Sequence, residues 1–326
     1  DQPRSRGLGD VYKRQPQDHY INIDGGTEEY IWPVWTECAE NPIYPQGGTW
    51  IYDRAGWCPG QASDLREDNI TALVNPGQIH NIDYGISNAS GSSNYWVSSQ
   101  LVSYGPPNHY IDAAIIDILS PTNQILHVRT NPQCSKPKIT IQNTGSNILN
   151  SLQIEYWINN STSHEIYQWS GSLNFLEKES IELPDPNTLW DDIAVSNNKF
   201  HVKISLPNNT TDQYQYNDFM SSKFAPAPKY PSTFALWFQT NSGVINSLSQ
   251  ISESSWEFFD NNGNIIYSSG DLISNTQYRD TLTFNNGCYV FKVTDTDDDG
   301  IDFRANNDGS GMLRFREIGA RWLKYF

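Results

Sequence analysis

Apolar and polar residues alternate with period two along much of this chain, the pattern of strands that bury one face. Tyr20-Ile21-Asn22-Ile23 alternates and runs into an Asp24-Gly25-Gly26 turn. Tyr95-Trp96-Val97 and Ile111–Leu119 read as further strands, separated by a Pro-, Gly- and Trp-dense loop from Cys38 to Gly60. A second set follows: Lys138–Gly145, a strand ending in a turn, then Leu152–Ile158, Ile166–Trp169, Ser180–Leu183 and His201–Leu206, at the intervals of a β-sandwich. The third set is Thr233–Gln239, Trp256–Phe259, Ile265–Tyr267, Tyr289–Val293 and Met312–Phe315, with hairpin turns expected at Asn262-Gly263 and Asn286-Gly287. Asn131-Pro132 opens the second set, and Phe224-Ala225-Pro226-Ala227-Pro228 reads as a short stiff linker before the third. The expected organisation is three all-β units, at 16–130, 131–226 and 227–326. No helix of ordinary length is predicted.

Composition agrees with short strands. The 326 residues include 18 Tyr, 13 Phe and 11 Trp but only 2 Met, and only 18% are charged. Hydrophobic residues make up 37%, enough to fill cores, so disorder is excluded despite a mean hydropathy of −0.59. A net charge of −16 with 21 Lys and Arg argues against nucleic acid as a partner. No apolar run approaches the roughly 20 residues of a membrane span. Ser5–Gln15 (S-R-G-L-G-D-V-Y-K-R-Q) resembles a translated sequencing adaptor, so residues 1–15 are set aside from fold reasoning. The natural protein is accordingly expected to extend further at its N-terminus. The strand-like run Trp322-Leu323-Lys324-Tyr325-Phe326 suggests truncation at the other end as well.

The chemistry the residues offer is restricted. No G-x-S-x-G, P-loop, H-E-x-x-H or dinucleotide fingerprint occurs. The six histidines form no H-x-H pair and the four cysteines no C-x-x-C, so neither copper nor zinc is expected. In the Cys38–Gly60 loop, Arg54 lies beside Asp53 and between Trp50 and Trp57, a cation framed by aromatics that suits a sugar or carbonyl contact. The other reading pairs Arg54 with Asp53 to hold the loop. Asp295, Asp297, Asp298, Asp299 and Gly300 make a D-x-D-x-D-G opening that can wrap Ca²⁺ in oxygen ligands. Asn306 stands where the bidentate Glu of an EF-hand would be, and the flanks are strands. A solvated acidic turn is the competing reading there. Asn-x-Ser/Thr sequons such as Asn69-Ile70-Thr71 carry no weight in so Asn-rich a chain.

The run C-A-E-N-P-I-Y-P-Q-G-G-T-W-I-Y-D-R-A-G-W-C-P-G, Cys38 to Gly60, closely resembles the second jelly-roll domain of the peptide-N-glycosidase F family. These amidases release N-glycans from glycoproteins. The resemblance extends over roughly residues 16–130 and takes in Val102–Pro107 and Ile111–Ala114. It implies a jelly-roll sandwich like those of the peptidylglycine monooxygenases, without their copper. An Ig-like sandwich resembling adhesion modules and a further jelly-roll-like sandwich would follow. It also implies a Cys38–Cys58 disulfide, Arg54 and Trp57 as substrate contacts, N-glycans or glycoproteins as partners, and a secreted or cell-surface location. Cys134 and Cys288, in different units, are expected not to pair with each other.

The resemblance departs at the catalytic carboxylates. The family's essential aspartate lies in the first jelly roll, and its second carboxylate in a Cys-Ala-Glu-aromatic-Cys motif just upstream of the strand resembling His19–Asp24. Residues 1–15 occupy that place. Glu28 and Glu29 are expected in a polar turn after the strand, and Cys38-Ala39-Glu40 matches the motif only in its letters. No catalytic residue is therefore assigned. In related secreted proteins the position of Asp297 is not acidic, which favours Asp295, Asp298 and Asp299 as calcium ligands. The expected function is that of a fragment of a peptide-N-glycosidase F-like amidase, itself inactive. The alternative is a non-catalytic glycan-binding or adhesion protein, and a copper monooxygenase ranks last.

Overall fold

A computed structural model describes residues 18–26, 28–33, 65–87, 97–185, 189–190, 193–246, 248–296, 300–302, 308–319 and 322–325. All regular structure among them is antiparallel β apart from short 3₁₀ turns. The expected all-β class is what the chain adopts.

The first sheet has the order β2-β1-β3, with β1 Asp18–Ile23, β2 Glu28–Pro33 and β3 Ile82–Ile86. Asp24 and Gly25 turn the β1–β2 hairpin with φ of 55° and 68°, the left-handed region that an Asp-Gly pair tolerates. Glu28 and Glu29 are not turn residues, as expected above, but open β2 opposite Asn22 and Ile21. Reading the turn as ending late hid this strand. On β3, Gly85 leaves room for the Tyr20 ring, because a Cβ there would lie 2.2 Å from it.

The second unit is a two-sheet sandwich. Its strands are β4 Ala113–Ser120, β5 Lys138–Asn143, β6 Leu149–Ile158, β7 Glu165–Leu173, β8 Lys178–Glu182, β9 Asn198–Ser205 and β10 Phe219–Phe224. One sheet has the order β4-β5-β8 and the other β10-β9-β6-β7. Alternation puts Ile139 and Ile141 of β5, Ile154, Tyr156 and Ile158 of β6, and Phe200, Val202 and Ile204 of β9 into one core. Buried Tyr156 satisfies its hydroxyl on the Pro184 carbonyl at 2.7 Å. The strand expected at Ile111–Leu119 in the first unit is β4, which pairs with β5 along its length and contributes Ala113, Ile115 and Ile118 to this core. The expected boundary at 130/131 therefore falls inside the second sandwich. An apolar run announces a strand but not the sheet that it joins. At the β5–β6 turn Gly145 meets the backbone of residues 110–112, where a Cβ would come within 2.7 Å of the Asp112 nitrogen. The Asp112 carbonyl accepts from both Thr144 and Gly145 N–H.

The third unit comprises β11 Thr233–Gln239, β12 Ser254–Phe259, β13 Ile265–Ser268, β14 Gln277–Thr283, β15 Val290–Asp295, β16 Met312–Glu317 and β17 Trp322–Tyr325. Sheets β14-β11-β16-β17 and β13-β12-β15 enclose an aromatic core of Phe234, Phe238, Trp256, Phe258 and Phe315 with Leu236 and Leu313. Asn262-Gly263 turns the β12–β13 hairpin, with Gly263 at φ 80° and the Asp260 carboxylate accepting from Asn262 and Asn264 N–H. Asn286-Gly287 makes no hairpin: it joins β14 in one sheet to β15 in the other.

One expectation is overturned outright. Cys134 and Cys288 form a disulfide with Cα atoms 5.6 Å apart, within the span such a bond requires. The β4–β5 connection and the β14–β15 connection lie side by side, so residues 154 apart in sequence are neighbours. Segmenting the chain treated the two units as independent. They are also joined where Asn261 donates to Asp185 at 3.2 Å. Cys38 and Cys58 lie outside the described residues.

Candidate functional site

Within the first sheet, β1 sends His19, Ile21 and Ile23 to one face. His19 pairs across with Trp32 of β2, and Ile21 with Tyr84 of β3, so the three rings His19, Trp32 and Tyr84 share that face. His19 Nδ1 and the Tyr84 hydroxyl are hydrogen-bonded, and the His19 ring lies 5.8 Å from Trp32 and 5.5 Å from Tyr84. Burial holds the His19 imidazole below its ordinary pKa, with Asp18 opposing, so it stands neutral at pH 7. The Arg66 guanidinium stacks 4.5 Å over Trp32 while bonding Asp68 at 3.1 Å. At the far end of the sheet His80 bonds Asp24 at 2.7 Å, which raises the imidazole pKa and lowers that of the carboxyl. The result is a half-exposed cluster of an indole and a phenol with a fixed cation stacked over the indole. Aromatic edges beside hydrogen-bonding groups suit contacts with sugars. Sequence reading missed it, although alternation in His19–Ile23 and the Trp32 strand carry the signal.

Of the residues singled out from sequence, Arg54 and Trp57 lie outside the described residues, as do Asp297, Asp298 and Asp299. Asp295 ends β15 opposite Ser254. Around it are buried Glu253 and Asn241, joined by a 2.8 Å hydrogen bond, and Thr296 donates its N–H to the Glu253 carbonyl. Among the described residues no three His, Cys, Asp or Glu side chains are grouped to hold a metal.

A second cluster was also missed. Asp112, Asp212 and Asp218 are all about 95% buried at one end of the second sandwich. Asp212 accepts from Ala113 N–H at 3.0 Å and Tyr214 N–H at 2.8 Å, and Asn217 donates to Asp112 at 3.1 Å. Burial pushes Asp212 upward against those backbone bonds. Burial first, then the charges of Asp212 and Asp112, push Asp218 up to about 7, with Lys203 opposing. One Asp218 oxygen is buried without a hydrogen bond. Held by backbone bonds and closed off from solvent, the cluster offers a substrate no surface to contact.

Fold and site together define an all-β, multi-sandwich chain whose N-terminal unit presents an aromatic and cationic sheet face suited to carbohydrate. Comparison with known families narrows this. Residues 9–102 match the family described as "Peptide-N-glycosidase F, C terminal". The N-terminal unit is therefore similar to the C-terminal domain of the peptide-N-glycosidase F family, over under a third of the chain. No curated protein and no solved structure matches significantly. The matched stretch contains β1, β2 and β3 and the Cys38–Gly60 motif, and ends before β4. Ser103–Pro107 and Ile111–Ala114, read above with the first unit, lie beyond its end. The match begins at residue 9, inside the stretch set aside as adaptor-like.

Proposed function

We propose that this chain is part of a secreted peptide-N-glycosidase F-like amidase that hydrolyses the glycosylated Asn side-chain amide of N-glycoproteins. The match over residues 9–102 carries this reading. In the whole protein a carboxylate activates water for attack on the amide carbon, and positioned polar groups stabilise the oxyanion. Arg54 and Trp57 contact the substrate beside those carboxylates, and the His19–Trp32–Tyr84 platform with Arg66 supports the same unit. The main catalytic carboxylates belong to sequence outside this chain, so the 326-residue chain binds without cleaving. The long-range Cys134–Cys288 bond supports an exported protein, because such bonds persist in oxidising compartments. Asp295, with Asp297, Asp298 and Asp299, binds Ca²⁺ as a structural ion in the third unit. The Ig-like second unit acts as an adhesion-type spacer.

The test is glycan release from a denatured N-glycoprotein. The purified chain should release none, and the protein restored with its upstream jelly roll should be active. Arg54→Ala in the restored protein should lower the rate and keep the fold; a wild-type rate would leave Arg54 a loop-holding residue. Binding without release in the restored protein would favour the alternative, a non-catalytic glycan-binding protein.

A further inference from the structure

The connection from β14 to β15 is anchored at both ends and exposed between them. At its start Phe284 donates its N–H to the Ser232 carbonyl at 2.7 Å and packs its ring against Phe234, Phe258 and Tyr289. At its end Cys288 is bridged to Cys134 of the second unit. Asn285, Asn286 and Gly287 lie between, exposed and outside any strand. The Tyr289 hydroxyl donates to the Asn285 carbonyl at 3.0 Å. Among the described residues, neither the Asn286 side chain nor the Gly287 N–H has a hydrogen-bond partner.

That arrangement opens Asn286 to attack by its own chain. The Gly287 nitrogen, once hydroxide has taken its proton, closes on the Asn286 side-chain carbon. A bond forms from that nitrogen to Cγ, the Cγ–Nδ2 bond breaks, ammonia leaves, and a cyclic imide remains. Water then opens the imide. Opening at the side-chain carbonyl gives aspartate, and opening at the main-chain carbonyl gives isoaspartate, in which the chain runs through Cγ. The sum is amide plus water to carboxylate plus ammonium, with no other reactant. Glycine after Asn favours the closure, because no Cβ crowds the incoming nitrogen. We infer that Asn286 is a site of spontaneous conversion to aspartate and isoaspartate in the folded chain.

The chain's other Asn-Gly pair shows what prevents the reaction. At Asn262-Gly263 the Gly263 N–H donates to the Asp260 carbonyl at 3.0 Å, and the Asp260 carboxylate holds the Asn262 N–H at 2.8 Å. The Asp260 N–H donates in turn to the Asn264 carbonyl at 3.0 Å, which closes the turn. The nucleophile there is a bonded amide, and its hydrogen bond must break before the proton can leave. That slows the reaction about tenfold. The position of Asn286 gives its conversion a consequence. Each event sets a new carboxylate, and in the iso form an additional main-chain atom, beside the half-cystine that joins the second and third units. The inference does not depend on the amidase reading.

The experiment incubates the whole 326-residue chain at pH 7 and at pH 9, then maps it by digestion and mass spectrometry. Labelling with isoaspartyl methyltransferase reports the iso linkage. Position 286 should acquire the amide-to-acid mass change about tenfold faster than position 262, and faster at pH 9 than at pH 7. In urea, where the turn bonds at Gly263 are gone, the two rates should approach each other. Gly287→Ala should slow conversion at 286. A Cβ there meets nothing nearer than the Tyr289 hydroxyl at 3.4 Å, an ordinary contact, and circular dichroism with melting verifies that the variant is folded. No conversion at 286, conversion at 262 equally fast in the folded chain, rates as far apart in urea as without it, or an undiminished rate in folded Gly287→Ala would each overturn the inference.

Discussion

Replacing Asp218 by Asn should make the second sandwich more stable at pH 8 and leave it nearly unchanged at pH 4. The carboxyl is 95% buried, faces Asp212 and Asp112, and has an oxygen with no hydrogen bond. Its pKa moves from 3.8 up to about 7 in the folded chain. The folded state therefore holds a proton that the unfolded state releases between these values. The stability this group contributes is fully present below pH 3.8 and is lost as pH rises through about 7. At ~1.36 kcal/mol for each pH unit of that rise, the upper limit is about 4 kcal/mol, and relaxation around the charge brings a realistic value nearer ~2 kcal/mol. The amide keeps the shape and removes the charge. Urea unfolding followed by tryptophan fluorescence at pH 5, 6.5 and 8 should give a midpoint difference between variant and wild type that grows with pH. Comparing the two proteins at each pH cancels the titrating groups that do not interact with residue 218, leaving Asp218 and its coupling to Asp212 and Asp112. A variant less stable at pH 8, or a difference independent of pH, would refute the account. So would calcium stabilising the wild type but not the variant, since a cation rather than a proton would then offset the charges.

Two further outcomes follow from the geometry. Gly145→Ala should destabilise the second sandwich by about 1–3 kcal/mol, because its Cβ would press on the Asp112 nitrogen and Tyr110 carbonyl, backbone atoms that cannot swing aside; an unchanged denaturation midpoint would contradict this. If Asp295, Asp297, Asp298 and Asp299 hold Ca²⁺, calcium at a hundredfold excess over Kd should add about 2.7 kcal/mol and raise Tm by several degrees, with chelator reversing it. Superimposed melting curves at millimolar calcium would leave only an acidic turn.

Strands whose inner residues are large and strictly alternating were legible in sequence, as β5, β6, β11 and β12 show. Those with little apolar contrast were not. β10 reads F-M-S-S-K-F and β14 reads Q-Y-R-D-T-L-T, each with few buried side chains, so no period stands out above the polar background. Phe224, taken as the start of a linker, is the inward last residue of β10. Sheet partnership escaped for a different reason. Ala113–Ser120 is as apolar as any core strand, but the pattern holds no information on which neighbour it hydrogen-bonds. The motif at Cys38–Gly60 was legible because it is written in consecutive residues. The His19–Trp32–Tyr84 face and the Asp112–Asp212–Asp218 cluster are assembled from residues tens of positions apart, and only strand register brings them together.

The Cys134–Cys288 bond also decides how this chain carries a mechanical load. Tension applied between the first unit and the C-terminal strands passes through the bridge and skips the 154 positions between its ends. Most of the second sandwich, the proline-rich connection after it and β11 to β14 cannot be drawn out in line with the pull, which reaches them only sideways, through the pairing of β4 with β5, β15 with β12 and β16 with β11. At ~3.4 Å per extended residue, roughly 500 Å of contour is locked away. Single-molecule stretching should show that length only after a reductant is added. The bridge thus makes a string of sandwiches behave as a short, stiff tether while the surroundings are oxidising, and as a long, yielding one when they are not.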